Sequence, residues 1–376
     1  MGCLRASLHY PNEPKFLYLN GEIMDEVKEK ICKFRSLYKA MHRCKKNVMW
    51  KDSVAGYIKN GLVNTYKLRH QVLDGSYKID KYSIFTVYEP KERPIVSTRM
   101  KDRVFQRSMC DNYLYDEITN SFIYDNHACQ IDKGTSRSRS RLVRHMQQHF
   151  KEHGLNGYVL QGDLTNFFGS TRHDIAKDAV TSRVSNKWVN NHVYKIIDSF
   201  KQGEDPKVGL GLGSQVTQLI ELAVLDRLDH IIKEDLRIKY YIRYNDDFIL
   251  IHEDKEHLKY CLKVIRKHVA SLGLKLSEKK TRLYPLKQGI KFLGFKLQLT
   301  ETGKVIKRLS KENVAHIKRK LRRMKKLVDV GVLTKEDVDK CLEAWKAHAK
   351  QGNTHNLILS MDRFYENLWE GGKSYV

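Results

Sequence analysis

Asp246 and Asp247 stand side by side in Lys239-Tyr-Tyr-Ile-Arg-Tyr-Asn-Asp-Asp-Phe-Ile-Leu-Ile-His252, between two apolar runs that read as buried strands. Successive side chains leave opposite faces of a strand, so two carboxylates that act together must sit at the turn of a β-hairpin. Adjacent anions in such surroundings need compensation, and a bound divalent cation is the simplest form of it. Mg²⁺ suits the place because it takes hard oxygen ligands, keeps waters and shares its coordination with phosphates. An Asp-Asp pair alone also occurs in plain surface turns; the apolar flanks set this one apart.

Metal-assisted phosphoryl transfer calls for a further carboxylate. Gly157-Tyr-Val-Leu-Gln-Gly-Asp-Leu-Thr-Asn-Phe-Phe-Gly169 offers Asp163, directly after a short strand. Three acids make a site for two Mg²⁺ ions, with Mn²⁺ as a substitute. In such a site one ion would activate a primer 3′-hydroxyl, and the other would bind the triphosphate and stabilise the leaving pyrophosphate.

An apolar strand ending in Asp163, with Phe167 and Phe168 behind it and Tyr-x-Asp-Asp well downstream, resembles a reverse transcriptase of the prokaryotic, group II intron-like kind. Tyr88-Glu-Pro-Lys-Glu-Arg-Pro-Ile-Val96 and Lys101-Asp-Arg-Val-Phe-Gln106 are similar to that family's fingers segment. Gly273-Leu-Lys-Leu-Ser-Glu-Lys-Lys-Thr281 is similar to a palm segment with a basic residue near the pyrophosphate, and Ile290-Lys-Phe-Leu-Gly-Phe295 to the primer grip. The resemblance implies an α+β right-hand polymerase fold: a helical amino-terminal segment (1–75), fingers (76–155), a palm with an antiparallel sheet (156–296, with part of the fingers at 174–208) and a helical thumb (297–376).

It also implies roles. Lys91 and Arg93 would hold the incoming triphosphate, although in a Pro-containing turn they also read as solvated charges. Phe168, five residues after Asp163, would exclude a ribonucleotide 2′-hydroxyl, unless it is core, as phenylalanine usually is. Lys280 would be the general acid to pyrophosphate, with Lys279 as its rival. Phe292, Leu293 and Gly294 would form the primer grip. In Gly209-Leu-Gly-Leu-Gly-Ser-Gln-Val-Thr-Gln218, Gly211 and Leu212 stand where most relatives have Pro-Gln, and Thr217 and Gln218 where they have Ser-Pro. Leu212 and Gln218 are then the residues beside the nascent base pair, in a pattern similar to diversity-generating retroelements. No Gly-Lys-Ser/Thr follows, which excludes a P-loop.

The chain carries 69 Lys plus Arg against 44 Asp plus Glu, a formal charge of +25, which suits phosphate backbones. Ile317-Lys-Arg-Lys-Leu-Arg-Arg-Met-Lys-Lys326 holds seven basic residues and no acid. Ile317, Leu321 and Met324 share a helical face there, leaving Lys318, Arg319, Arg322, Arg323 and Lys326 for nucleic acid. Arg137, Arg139 and Arg141, in a short Ser/Arg-biased stretch, belong either to a template-contacting loop or to the start of a helix through Phe150. Further helices are expected at Asp25–Leu73, between Asp174 and Phe200, at Ser214–Leu236 and at Lys255–Leu272, with strands between Tyr82 and Val96.

Seven cysteines lie scattered without Cys-x-x-Cys, which reads as reduced thiols, and among the sixteen histidines no His-x₃-His spacing is singled out as a metal site. The start shows neither a signal peptide nor a membrane span, so a prokaryotic cytoplasm is expected. No RNase H domain or endonuclease is expected after the thumb. The expected partners are a dedicated structured non-coding RNA as template, a DNA or RNA primer, dNTPs and the DNA product; no protein partner is named. Thr217 and Asn245 tilt the reading toward antiphage defence, with diversification as the alternative. A catalytically silent RNA-binding scaffold is the reading from a different class, and three convergent acids argue against it.

Overall fold

The computed structural model describes residues 18–19, 22–23, 25–88, 92–200 and 205–370. They fall into two compact units: Met1–Asn120 with His173–Ile220, and Ser121–Arg172 with Glu221–Val376.

The first unit is mainly helical. Helices Glu26–Cys32, Phe34–Lys45, Asp52–Lys59 and Gly61–Leu73 fill the expected amino-terminal segment. Leu37, Ala40 and Met41 form the inward stripe of the second of these, which packs against helix Met100–Met109, where Val104, Phe105 and Met109 are buried. A hairpin of β1 (Ser83–Val87) and β2 (Arg93–Ser97) precedes that helix, with Val87 opposite Arg93. Helices His173–Thr181 and Lys187–Ser199 complete the unit.

The second unit is built on a four-stranded antiparallel sheet of β3 (Tyr158–Gly162), β4 (Tyr240–Tyr244), β5 (Asp247–His252) and β6 (Arg282–Pro285), in the order β4-β5-β3-β6. Val159, Leu160, Ile242, Ile249 and Leu250 are fully buried, which accounts for the near-continuous apolar runs in the sequence. Helix Thr135–His153 lies against β4 through Leu142 and Met146, and helix Lys255–Ser271 presents Leu258, Cys261, Ile265 and Val269 to β3 and β5. A second sheet, β7 (Ile290–Phe292), β8 (Phe295–Leu299) and β9 (Val305–Leu309), continues the same core into helices Lys311–Asp329, Lys335–Ala349 and His355–Trp369.

One expectation is corrected. The helix expected over Ser214–Leu236 runs only from Gln215 to Val224, breaks at Leu225, resumes at Asp226–His230 and ends in a π turn at Ile231–Asp235. The break and widened turn accompany two buried acids, Asp226 and Asp229, whose partners lie outside the helix. Of the two readings of the Ser/Arg stretch the helical one holds, from Thr135 onward. Among the described residues no helix is long and apolar enough to cross a membrane, and the described cysteines are all free.

Candidate active site

Tyr244 pairs with Asp247 across the hairpin, so Asn245 and Asp246 are the two residues of the turn. Two-residue hairpins favour turns with positive φ at their first central position, and Asn245 adopts φ 53°. Asparagine enters that region more readily than most residues. The unusual third letter of the motif therefore has a local backbone reason.

Asp163 follows β3 directly, and Gly162 of β3 faces Phe248, the residue after Asp247. This register carries the acid from one strand to the acids of the other. A larger residue at Gly162 would have to displace Phe248, because a Cβ there would lie 2.1 Å from Cζ of that ring. Asp163 is buried, and its backbone is tied to the loop after helix Lys255–Ser271: Ser277 N donates to Asp163 O (2.8 Å), and Thr165 N to Lys275 O (2.9 Å). The same loop delivers Lys280, whose Nζ donates to Asp163 Oδ1 at 2.6 Å. Lys279 makes no such contact; its carbonyl accepts from Arg282 Nε.

The electrostatics show three acids in one place. Burial, followed by the charges of Asp246 and Asp163 and a hydrogen bond with Asp163, pushes the Asp247 carboxyl up to about 7, against the pull of Lys280. Lys280 itself is raised, since the neighbouring acids outweigh its partial burial. A crowded set of carboxylate oxygens that resists full ionisation without a counter-charge fits a hard divalent cation.

The hairpin is held from beneath by a pair the sequence did not single out. Arg243 and Asp229 are both fully buried and joined by two hydrogen bonds, Nε to Oδ1 (2.7 Å) and Nη2 to Oδ2 (2.5 Å); Tyr241 Oη adds a third to Asp229 (2.6 Å). Arg243 Nη1 then donates to the carbonyl of Asn245 at 2.9 Å. Glu221 is also buried. It accepts from Thr171 Oγ1 at 3.0 Å, its Oε1 has no hydrogen-bond partner, and burial, with the charge of Asp246, pushes it up to about 8.

Phe167 is the core member of its pair, and Phe168 is only half-buried, its ring set edge-on to Phe167 at 5.9 Å. Leu293 and Gly294 form the turn between β7 and β8, with φ 45° and 86°, while Phe292 is buried. Leucine in the left-handed region is uncommon, and strain of this kind gathers at functional turns.

Arg139 is corrected from the expected nucleic-acid face. It is buried, donates to Leu293 O (3.1 Å) and to Gln351, and stacks over Phe295. Arg141 is paired with Asp125 at 2.6 Å, and Arg137 is exposed, bonded to Asp132 O. On helix Lys311–Asp329, Ile317 and Leu321 face inward; Arg319, Arg322, Arg323 and Lys326 are exposed, and Lys318 and Arg322 lie over the Phe364 ring.

In the first unit, Arg93 is exposed at the start of β2, and Lys91 lies outside the described residues. Leu212 and Gln218 are half-buried. Their loop is fastened by Thr217 Oγ1, which donates to the carbonyls of Gly211 and Ser214, both at 2.9 Å. Gly213, at φ 129°, comes close to the Val96 carbonyl, which brings the loop against β2.

An antiparallel sheet with two acids on its hairpin and a third at the end of the adjoining strand defines a polymerase-like class. Within that class the chain belongs to the reverse transcriptase (RNA-dependent DNA polymerase) family, whose sequence profile matches residues 79–297. Protein YkfC of Escherichia coli strain K12 is 24% identical over 279 residues, 61% of this chain and 70% of YkfC. Among solved structures, apo telomerase from Candida tropicalis is similar at a TM-score of 0.46 and 12% identity, covering 61% of this chain and 49% of that one. Telomerase from Candida albicans in complex with the TWJ fragment of telomeric RNA matches at 0.46 and 10%, covering 82% and 65%. The chain thus spans 49% to 65% of the telomerase chains it matches.

Proposed function

We propose that this chain is an RNA-directed DNA polymerase that adds dNTPs to a primer on an RNA template, with Asp163, Asp246 and Asp247 as its metal ligands. The observation that carries this reading is the meeting of those three carboxylates with Lys280 at one end of the sheet, where burial and mutual repulsion raise Asp247. The three acids would hold a pair of divalent ions, Mg²⁺ with Mn²⁺ as substitute, which when bound supply activation of the primer hydroxyl and charge relief at the pyrophosphate.

The remaining parts belong to the chain's own side chains. Lys280, cationic and within reach of Asp163, is the residue to hand a proton to the departing pyrophosphate. Phe168, half-buried rather than core, would stand against the sugar. Arg93 and Lys91 would hold the triphosphate, Leu212 and Gln218 would line the nascent pair, and Phe292, Leu293 and Gly294 would seat the primer end. The exposed cations of helix Lys311–Asp329 would follow the duplex backbone.

Asp246→Asn and Asp247→Asn together, and Asp163→Asn alone, should abolish incorporation on a primed RNA template while fold and RNA binding persist. Undiminished synthesis would remove the assignment. A dedicated structured RNA and a role in antiphage defence in the cytoplasm extend the proposal. Sequencing the RNA that copurifies with the chain, and phage plating with and without the Asp pair, test them. Thr217 and Asn245, which tilt the reading toward defence, both have local backbone reasons, so these experiments carry the decision.

A further inference from the structure

A second cluster with metal-ligand chemistry lies at the opposite end of β5 from Asp247. His149 and His153 come from the last turns of helix Thr135–His153, and Glu253 follows β5 directly. One ligand atom from each of the three lies within 4.8 Å of the other two. Four-residue spacing puts both imidazoles on one helical face. Six residues of strand at about 3.3 Å each separate Glu253 from Asp247 by roughly 20 Å, so this is not an extension of the carboxylate site.

The cluster has the features of a prepared site. His149 is wholly buried, with Nε2 set 2.9 Å from the carbonyl oxygen of Asn156. A carbonyl only accepts, so the proton belongs on Nε2 and the lone pair on Nδ1, which is buried and has no hydrogen-bond partner. A metal-ligating histidine characteristically donates its other nitrogen to a backbone carbonyl in this way. The ring is admitted by Gly157, where a Cβ would sit 2.3 Å from Nε2.

The other two members converge on it. The His149 and His153 ring centres are 5.0 Å apart, and His153 Nε2 is 3.6 Å from Glu253 Oε2. The nearby groups are otherwise engaged. Glu152, 3.8 Å from His153, accepts from Tyr240 Oη and Lys239 Nζ, and His252 Nδ1, though also 3.6 Å from Glu253 Oε2, accepts the Asp254 backbone N–H.

We propose that His149, His153 and Glu253 bind one divalent ion of the borderline transition-metal class, Zn²⁺ or a chemical equivalent such as Co²⁺. Two imidazoles and one carboxylate suit that class and not Mg²⁺, which prefers an all-oxygen shell. The ion would clip the end of a helix that packs on β4 to the strand whose first residue is Asp247. It would stabilise the folded state by mass action and take no part in nucleotide chemistry.

The test uses the full, untagged chain, stripped with chelator and dialysed. Zn²⁺ is titrated by calorimetry and Co²⁺ by its visible absorption, both in excess Mg²⁺. One equivalent should bind, also in the Asp246→Asn/Asp247→Asn variant, and Zn²⁺ should raise Tm. His153→Ala and Glu253→Gln, both partly exposed positions, should weaken binding by at least about 100-fold, beyond the 10–100-fold typical of outer-shell changes, with the circular dichroism of the metal-free protein unchanged. No binding by the wild-type chain, or an equivalent retained at full affinity in both variants, would overturn the site.

Discussion

Arg243 grips Asp229 with two hydrogen bonds in a fully buried pair and, through its remaining Nη1, holds the carbonyl of Asn245. One guanidinium thus joins a helix to the turn that carries Asp246. Breaking such a pair from one side leaves a charge buried without its partner, which costs about 3–5 kcal/mol. Asp229→Asn should therefore lower the urea midpoint sharply. It should also reduce incorporation at temperatures where circular dichroism shows the variant still folded, because the turn loses its anchor. Full activity in the folded variant would confine the pair to stability.

The pH response follows from Asp247 and Glu221, raised to about 7 and about 8 from ordinary values of 3.8 and 4.5. Between the ordinary and raised values the folded, metal-free protein holds protons that the unfolded chain has released. Stability is accordingly complete below the ordinary values and declines as pH climbs through 7 and 8. Glu221→Gln should flatten that decline in thermal melts between pH 6 and 9. Divalent-ion affinity at the acids should run the other way, rising through pH 7 as Asp247 loses its proton. Mg²⁺ titration at pH 6 and pH 8 reads this directly, and equal affinities would contradict it.

Sugar selection is the test of Phe168. If its half-buried ring stands where a 2′-hydroxyl would project, Phe168→Ala should shift the ratio of rNTP to dNTP efficiencies by the equivalent of about 1–3 kcal/mol, the usual worth of a pocket contact. An unchanged ratio with a lowered Tm would make it a packing residue like Phe167.

For the basic helix, the exposed positions Arg319, Arg323 and Lys326 are the ones to change, since Lys318 and Arg322 also cover Phe364. Each phosphate contact contributes about 0.9 to the log–log salt slope on a duplex. Replacing all three with Gln should lower the slope by up to about three such contributions, without altering sequence preference. A slope equal to that of the unchanged chain would mean that these cations are only solvated. Leu321→Ala, by contrast, should cost stability, because that side chain is fully buried.

The acids were legible because apolar strands around paired aspartates form a local pattern, and helices Lys255–Ser271 and Lys311–Asp329 because their stripes repeat. What was hidden depended on partners distant in the chain. Asp229 looks like any acid on an amphipathic helix until the broken helix turns it toward Arg243. Arg139 sits in a run that reads as a template surface, yet the helix directs it to Leu293 and Gln351. His149 and His153 carry a readable spacing, but without Glu253 beside them, two histidines on a helix are only two histidines.

Gly162 and Phe248 have a consequence for how this chain can vary. The phenyl ring fills the volume that a side chain at 162 would need, so the two positions share one allotment of space on a face of the sheet, over the strand that ends at Asp163 and the strand that begins at Asp247. A side chain at 162 would have to displace the Phe248 ring or come with a smaller residue at 248, and a smaller residue at 248 alone would leave that volume empty. The backbone ladder sets the spacing of the two strands, and the ring adds a cap over the glycine: beside the acids this face of the sheet has room for one side chain at the 162/248 pair, and Phe248 takes it.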